Sequence, residues 1–154
     1  MSADPAAQPI VVLAAVIERD GRFLLARRLP RTHLAGLWEF PGGKCEPGET
    51  HEACLARELR EELGVDATIG SELVVTEHAY PERIVRLHFR RTDIAGEPVG
   101  RLGQELRWVS RRELASLPLP EADATVVALL THTRAEGPEA DPDSMRESDD
   151  LSGN

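Results

Sequence analysis

The sequence is poor in several features that mark specialised protein classes. Its two cysteines, Cys45 and Cys54, are too few for a disulfide framework or a four-cysteine zinc site, and we expect a reduced pair. No apolar run approaches the roughly 18 residues of a membrane helix, and the N-terminus lacks the basic start and apolar core of a signal peptide. We therefore expect a cytoplasmic protein without a membrane partner.

Lysine is also scarce, since Lys44 is the single one, and 27 acidic residues against 18 basic ones give a net charge of −9. Residues 135–154 contribute −6 of that charge, with seven acidic side chains and one arginine, and contain almost nothing apolar. We expect this segment to be a disordered acidic tail, which leaves residues 1–134 as one domain. Extended nucleic acid is an unsuitable partner, because its phosphate backbone requires a basic surface.

The chain nevertheless has the composition of a globular protein, with 41% hydrophobic and 29% charged residues among 154. The apolar run 10–18 predicts a buried strand, and the turn "RDG" predicts a hairpin into a second strand over 22–28. A helix is predicted from Thr50, its N-cap, to Leu63, with Gly64 as C-cap. Three strand-like runs and two helical segments follow. This order predicts an α+β fold in which a mixed sheet lies between helices.

The histidines are scattered along the chain without the spacing of metal ligands. We expect them to have structural or surface roles rather than to bind metal; they are His33, His51, His78, His88 and His132.

The predicted helix places three glutamates on one face, beside a buried stripe of leucines. Glu58, Glu61 and Glu62 are spaced so that like charges repel. A solvated face with an Arg57–Glu61 pair is the simplest interpretation of such a helix. The preceding loop "PGGKCEPGE" favours another, because its glycines permit close backbone approach and it adds two carboxylates. Clustered oxygen ligands of this kind suit Mg²⁺ or Mn²⁺.

The loop and helix together fit the pattern G-x5-E-x7-R-E-U-x-E-E-x-G-U, where U is apolar. Its fixed positions are filled by Gly43, Glu49, Arg57, Glu58, Leu59, Glu61, Glu62, Gly64 and Val65. On this motif the chain resembles the Nudix hydrolases. The segments "LLARR", "WEFPGGK", "ELRWVS" and "PEADATVVALL" resemble the MutT-like branch of that family. The resemblance implies the Nudix fold and the divalent-metal-dependent hydrolysis of compounds that contain a nucleoside diphosphate.

The resemblance also implies roles for individual residues. Metal ligands would be the three helix glutamates, with the Gly42 carbonyl and Glu105 as further candidates. Glu58 or Glu61 would accept the proton of the attacking water, and the motif alone does not choose between them. Arg57 would pair with Glu49 and orient the cluster. Gly43 and Gly64 would have structural roles.

Three residues outside the glutamate cluster are candidates for substrate binding. Arg28 matches a phosphate-contacting position, although a surface arginine on an edge strand fits equally well. Lys44 either contacts substrate or is solvated. Asp123 occupies a position that contacts the base in MutT-like proteins, unless it only begins the last helix.

The identity of Asp123 bears on which nucleotide is cleaved. An ionised carboxylate only accepts hydrogen bonds, so it matches the N4 amino group of cytosine. This favours a pyrophosphohydrolase that cleaves CTP or dCTP, including 5-modified forms, to the monophosphate and pyrophosphate. Guanine N1–H and N2 would also match, so an 8-oxo-dGTP diphosphatase is an alternative. An ADP-ribose or nucleotide-sugar hydrolase and a non-catalytic nucleotide-sensing module are two others, and the chain is expected to be a monomer or a homodimer.

Overall fold

The computed structural model describes residues 8–136. Seven strands and three helices follow one another along this part of the chain, in the order that the sequence predicts except for two short additional strands. They are β1 (Ile10–Arg19), β2 (Arg22–Arg27), β3 (Trp38–Glu39), β4 (Gly42–Lys44), α1 (His51–Leu63), β5 (Asp66–Tyr80), β6 (Arg83–Ala95), β7 (Leu106–Ser110), α2 (Arg111–Ser116) and α3 (Ala124–Glu136).

Strand β1 organises the sheet because it pairs with three other strands. It runs parallel to β6 and antiparallel to β2 and β4, so the predicted mixed sheet is confirmed. β5 pairs with β6 on one side, while β3 and β7 pair with β2 on the other. The continuous apolar run of β1 follows from its position, since both of its faces are covered by core residues.

Helix α1 begins and ends as the sequence predicts. The Thr50 side chain accepts a hydrogen bond from the Ala53 N–H, and Gly64 adopts the left-handed conformation that closes the helix. Its buried face consists of Cys54 and the leucine stripe, which pack against Leu13 and other residues of β1. This packing fixes the rotation of the helix, and therefore the direction in which its glutamates point.

Helix α3 covers the opposite face of the sheet together with α2, through Leu114, Val126 and Leu130. The helix continues to Glu136, so the first two residues of the predicted tail belong to it. The rest of that predicted tail lies outside the described residues. Within the described residues, no helix is long and apolar enough to cross a membrane.

The two cysteines correct one expectation. Cys45 and Cys54 form a disulfide, with their Cα atoms 5.3 Å apart, and are not the reduced pair that their number and the expected compartment favour. Cys45 directly follows β4, and Cys54 lies in the first turn of α1, so the fold brings them into contact. The bond ties the loop that precedes the helix to the helix itself, although such bonds are uncommon in reducing compartments.

Candidate active site

Strand β4 lies so close to β1 on one side and to α1 on the other that its two glycines have no room for side chains. A Cβ atom at Gly42 would stand 1.9 Å from the Leu13 carbonyl oxygen of β1, and one at Gly43 would stand 2.3 Å from the Glu58 carboxyl carbon of α1. Real Cβ atoms do not tolerate such contacts, so Gly42 permits close pairing with β1 and Gly43 permits the approach of backbone to carboxylate. The peptide groups of β4 thereby lie beside the glutamate cluster.

Arg57 connects the loop before α1 to the glutamates of the helix. Its Nε and a terminal nitrogen hold both oxygens of Glu49, at 2.6 and 2.9 Å, in a bidentate pair. The other terminal nitrogen donates to Glu58 at 3.1 Å and lies 3.5 Å from Glu61. The Lys44 carbonyl also accepts from Arg57. The hydrogen bonds from Arg57 lower the pKa of Glu49 to about 2, so Glu49 stays ionised.

Glu58 and Glu62 form a partly buried carboxylate pair one turn apart on α1. Burial, followed by the charges of Glu58 and Glu39, raises the pKa of Glu62 to about 8. Burial also raises the pKa of Glu58, which Arg57 partly offsets. A backbone hydrogen bond from Gly42 to Glu62 partly offsets the rise in the pKa of Glu62. Burial and like charge therefore both disfavour full ionisation of this pair.

Glu61 is less engaged in this cluster than its two neighbours. Its side chain is 59% exposed and makes a long contact of 3.5 Å with Arg57. Two groups of described residues bring their possible ligand atoms within 4.8 Å of one another, and neither group contains Glu61 or the other helix glutamates. Glu61 must therefore turn toward Glu58 and Glu62 if all three are to share one ion.

Glu105 and Lys44 lie away from the glutamate cluster. The Glu105 side chain is 59% exposed and pairs with Arg27 at 3.5 Å, in a separate surface depression. Its neighbour Gln104 approaches α1 instead, donating to the Glu62 backbone carbonyl at 3.1 Å. Lys44 is exposed, and its side chain does not line the pocket that opens beside the glutamate cluster.

A pocket of about 380 Å³ opens beside the glutamate cluster. It combines acidic, basic, aromatic and aliphatic side chains from the sheet and from the segment before α3. Its lining includes Arg28, His33, Glu39, Phe40, Gly42, Gly43, Glu62, His78, Tyr80, Leu87, Phe89 and Asp123. The pocket therefore joins two sequence-predicted substrate residues, Arg28 and Asp123, to the predicted metal site.

Asp123 is the most unusual carboxyl group of this pocket. It is 5% exposed and ends a short 3₁₀ turn before α3. Burial, followed by the charge of Glu39, raises its pKa to about 7. No hydrogen bond from a described residue reaches its carboxylate, so it does not cap the helix through its side chain. The carboxyl group lines the pocket, so a ligand bound there can supply its hydrogen-bond partner.

Sequence reasoning missed Glu39, which lies between Asp123 and Glu62. Its carboxylate bonds to Arg28 at 2.8 Å, yet burial raises its pKa above the usual value. This pairing directs the Arg28 guanidinium into the pocket. An acidic residue between two buried aromatics, Trp38 and Phe40, was the signal in the sequence.

Aromatic rings at the pocket mouth were also missed. His78 and Tyr80 alternate along β5 and therefore share a face, with ring centroids 4.7 Å apart. Tyr80 meets His33 edge to face at 5.6 Å. Their alternation in "TEHAY" was the signal, and the rings offer flat surfaces for a nucleobase.

The glutamate cluster suits a divalent cation. Its donors are carboxylates and the adjacent β4 peptide groups, which are the oxygen ligands that Mg²⁺ and Mn²⁺ prefer. The raised pKa values of Glu58 and Glu62 reflect repulsion and burial that a cation would relieve. Glu58, Glu61 and Glu62 would hold the ion, with the Gly42 carbonyl nearby.

Comparison with known proteins agrees with the motif and the geometry. The model of the NUDIX domain matches residues 12–129. The chain is 42% identical over 130 residues to the CTP pyrophosphohydrolase of Escherichia coli strain K12, covering 84% of this chain and 96% of that protein. It is 38% identical over 123 residues to the 8-oxo-dGTP diphosphatase of Haemophilus influenzae, covering 79% and 90%.

Solved structures agree as well. The solution structure of the E. coli ORF135 protein superposes with a TM-score of 0.78 at 40% identity, covering 89% of this chain and 99% of that chain. The MutT Nudix hydrolase from Burkholderia pseudomallei gives 0.67 at 34% identity, covering 80% and 98%. The glutamate helix, its glycine strand and these similarities identify the chain as a member of the Nudix hydrolase family, in its MutT-like branch, and as an enzyme that hydrolyses phosphoanhydride bonds.

Proposed function

We propose that this enzyme cleaves a nucleoside triphosphate to the monophosphate and pyrophosphate with Mg²⁺ or Mn²⁺, and that it prefers cytidine nucleotides. The substrate would be a free nucleotide, consistent with a cytoplasmic enzyme and a small pocket. The observation that carries the base preference is the Asp123 carboxyl group, which lines the pocket and belongs to a residue that is 5% exposed.

The phosphate chain would extend from the pocket toward α1. Arg28, held by Glu39, would contact the phosphates. A bound divalent cation would neutralise phosphate charge and lower the pKa of the attacking water. Glu58 or Glu61 would accept the proton of that water. Arg57 would keep Glu58 oriented through its contacts with both Glu49 and Glu58.

The raised pKa of Asp123 refines the argument about the base. Near neutral pH the group is divided between its ionised and neutral forms. A neutral carboxyl group donates one hydrogen bond and accepts another. It therefore matches cytosine, which offers the N4 amino group as donor and N3 as acceptor. The nearby Glu39 charge favours this neutral form.

A second candidate substrate is 8-oxo-dGTP. Several similar proteins are named 8-oxo-dGTP diphosphatases, at 34–38% identity. The ionised form of Asp123 would accept from guanine N1–H and N2, so the same residue fits either base in a different protonation state. Cytidine nucleotides and 8-oxo-dGTP therefore require opposite protonation states of Asp123.

A nucleotide screen tests the proposal directly. We expect pyrophosphate release from CTP and dCTP with Mg²⁺ to exceed that from UTP, dGTP and 8-oxo-dGTP, and we expect no activity with EDTA. Glu62→Gln should lower kcat at least about a hundredfold through loss of charge at the metal site. Glu97→Gln is the matched control, because the Glu97 side chain is 83% exposed and pairs with Arg19 at 3.2 Å, far from the glutamate cluster in sequence.

Two results would contradict the proposal. If Glu62→Gln keeps full activity and a normal metal response, the glutamate cluster does not take part in catalysis. If ADP-ribose or a nucleotide sugar is cleaved faster than any triphosphate, the proposed substrate class is wrong.

A further inference from the structure

A second group of metal-ligating side chains lies at the other end of α1. His51 is the first residue of the helix, Glu72 lies on β5 and His88 lies on β6. One possible ligand atom from each side chain lies within 4.8 Å of the others. His88 Nδ1 is 2.6 Å from Glu72 Oε1, and the two imidazole rings have centroids 4.4 Å apart.

This group is separate from the catalytic cluster and from the nucleotide pocket. Strand alternation places His88 on the face of β6 that α1 covers, whereas Leu87 and Phe89 line the pocket. His51 and Glu58 are seven residues apart on the helix, which corresponds to about 10 Å along its axis. A ligand at one site would not touch the other.

The donor set differs in chemistry from the oxygen-rich catalytic cluster. Two imidazoles and one carboxylate suit zinc and other first-row transition metals better than Mg²⁺. Ligands about 2.0–2.2 Å from a tetrahedral zinc ion lie roughly 3.3 Å from each other. The present separations, all within 4.8 Å, therefore need adjustments of at most about 1.5 Å, which side-chain rotation in Glu72 and His51 can supply.

The surroundings already prepare these ligands. His88 is 8% exposed, and its Nδ1 lies 2.6 Å from Glu72 Oε1 in a contact that a bound zinc ion would replace. Glu72 is 41% exposed and leaves an open side for an ion to enter. A nearby cation, Arg90, is compensated by the Gly70 carbonyl at 2.8 Å and by Glu52 at 3.2 Å. An added divalent ion would therefore face little uncompensated positive charge.

We propose that His51, Glu72 and His88 form a binding site for one zinc ion. The ion fastens the N-terminal end of α1 to the β5–β6 hairpin. Because α1 also carries the catalytic glutamates, the bound ion stabilises that helix without taking part in the reaction. This proposal does not depend on which nucleotide the enzyme cleaves.

Zinc titration of the full chain tests the site. The measurement uses millimolar Mg²⁺ to occupy the glutamate cluster and no thiol reductant, because reduced Cys45 and Cys54 beside Glu49 would form a competing group. Calorimetry should give one zinc ion per chain. Co²⁺ in place of zinc should give a visible spectrum with imidazole ligation, and zinc should displace it.

Variants identify the ligands. His51→Ala should weaken zinc binding at least about a hundredfold and abolish the zinc-dependent rise in Tm, while Glu72→Gln should weaken binding at least about tenfold. His132→Ala, which removes an exposed histidine of α3, is the control and should bind like the wild type. His51 lies at the exposed end of the helix, so its variant avoids the folding risk of changing buried His88.

Two outcomes would overturn the proposal. One is zinc affinity within about threefold of wild type in His51→Ala, since loss of a ligand costs far more than that. The other is absence of zinc binding by the wild type at millimolar concentration. In either case the His88–Glu72 contact is only a structural hydrogen bond.

Discussion

The protonation state of Asp123 should decide which base the enzyme prefers. Its pKa of about 7 makes the group about nine-tenths neutral at about pH 6 and about nine-tenths ionised at about pH 8. Cytosine pairs fully only with the neutral form, and 8-oxoguanine with the ionised form. The ratio of kcat/KM for CTP to that for 8-oxo-dGTP should therefore fall as pH rises through 7.

The magnitude follows from the cost of one mismatched hydrogen bond in a buried pocket. That cost is about 1–3 kcal/mol, so each substrate tolerates the wrong form only weakly. The cost applies to CTP in the ionised form and to 8-oxo-dGTP in the neutral form. The ratio of their kcat/KM values should therefore change about tenfold to a hundredfold between about pH 6 and pH 8.

A ratio of two substrates isolates this residue from the rest of the site. Titration of Glu62 and of the phosphates affects both nucleotides alike and cancels. The assay is initial-rate kinetics for both nucleotides in one buffer series with saturating Mg²⁺. In Asp123→Asn the ratio should not depend on pH, because the amide does not titrate. A ratio that is flat in the wild type, or that has the same slope in Asp123→Asn, would refute the reasoning.

Three further predictions concern stability and the backbone of the site. The folded state holds a proton on Asp123 that the unfolded chain releases above about pH 4. In urea titrations without metal, the free energy of unfolding should therefore fall as the pH rises from about 4 to 7, by at most about 1.4 kcal/mol per pH unit. Asp123→Asn should reduce this slope, and an unchanged slope would contradict the assignment. Reduction of the Cys45–Cys54 bond opens the loop that the bond closes, across a sequence separation of 9, and should cost about 2–3 kcal/mol, measured by unfolding with and without dithiothreitol. Cys45→Ala/Cys54→Ala should not respond to the reductant. Gly43→Ala should lower kcat at least about tenfold because its methyl group would displace a cluster glutamate, while Gly96→Ala, which meets nothing within 4 Å, should lower stability only.

Local sequence signals predicted the secondary structure well where one interaction dominates. The N-cap of Thr50, the left-handed Gly64 and the leucine stripe of α1 depend on neighbours within a few turns, and all three predictions were confirmed. The two-residue strand β3 and the three-residue strand β4 were not predicted. Such short segments have no periodicity of their own, and they are strands because β2 and β1 lie beside them.

The sequence by itself determined the family, the mixed fold and the glutamate helix, because a motif with fixed spacing on one helix places its side chains without help from distant residues. Contacts between distant segments required the tertiary structure. It alone joined Cys45 to Cys54, buried Glu39 against Arg28, and gathered His51, Glu72 and His88, whose spacing in sequence carries no signal. It also decided the ionisation of Asp123, since a pKa depends on burial and on nearby charge, and both are properties of the folded chain.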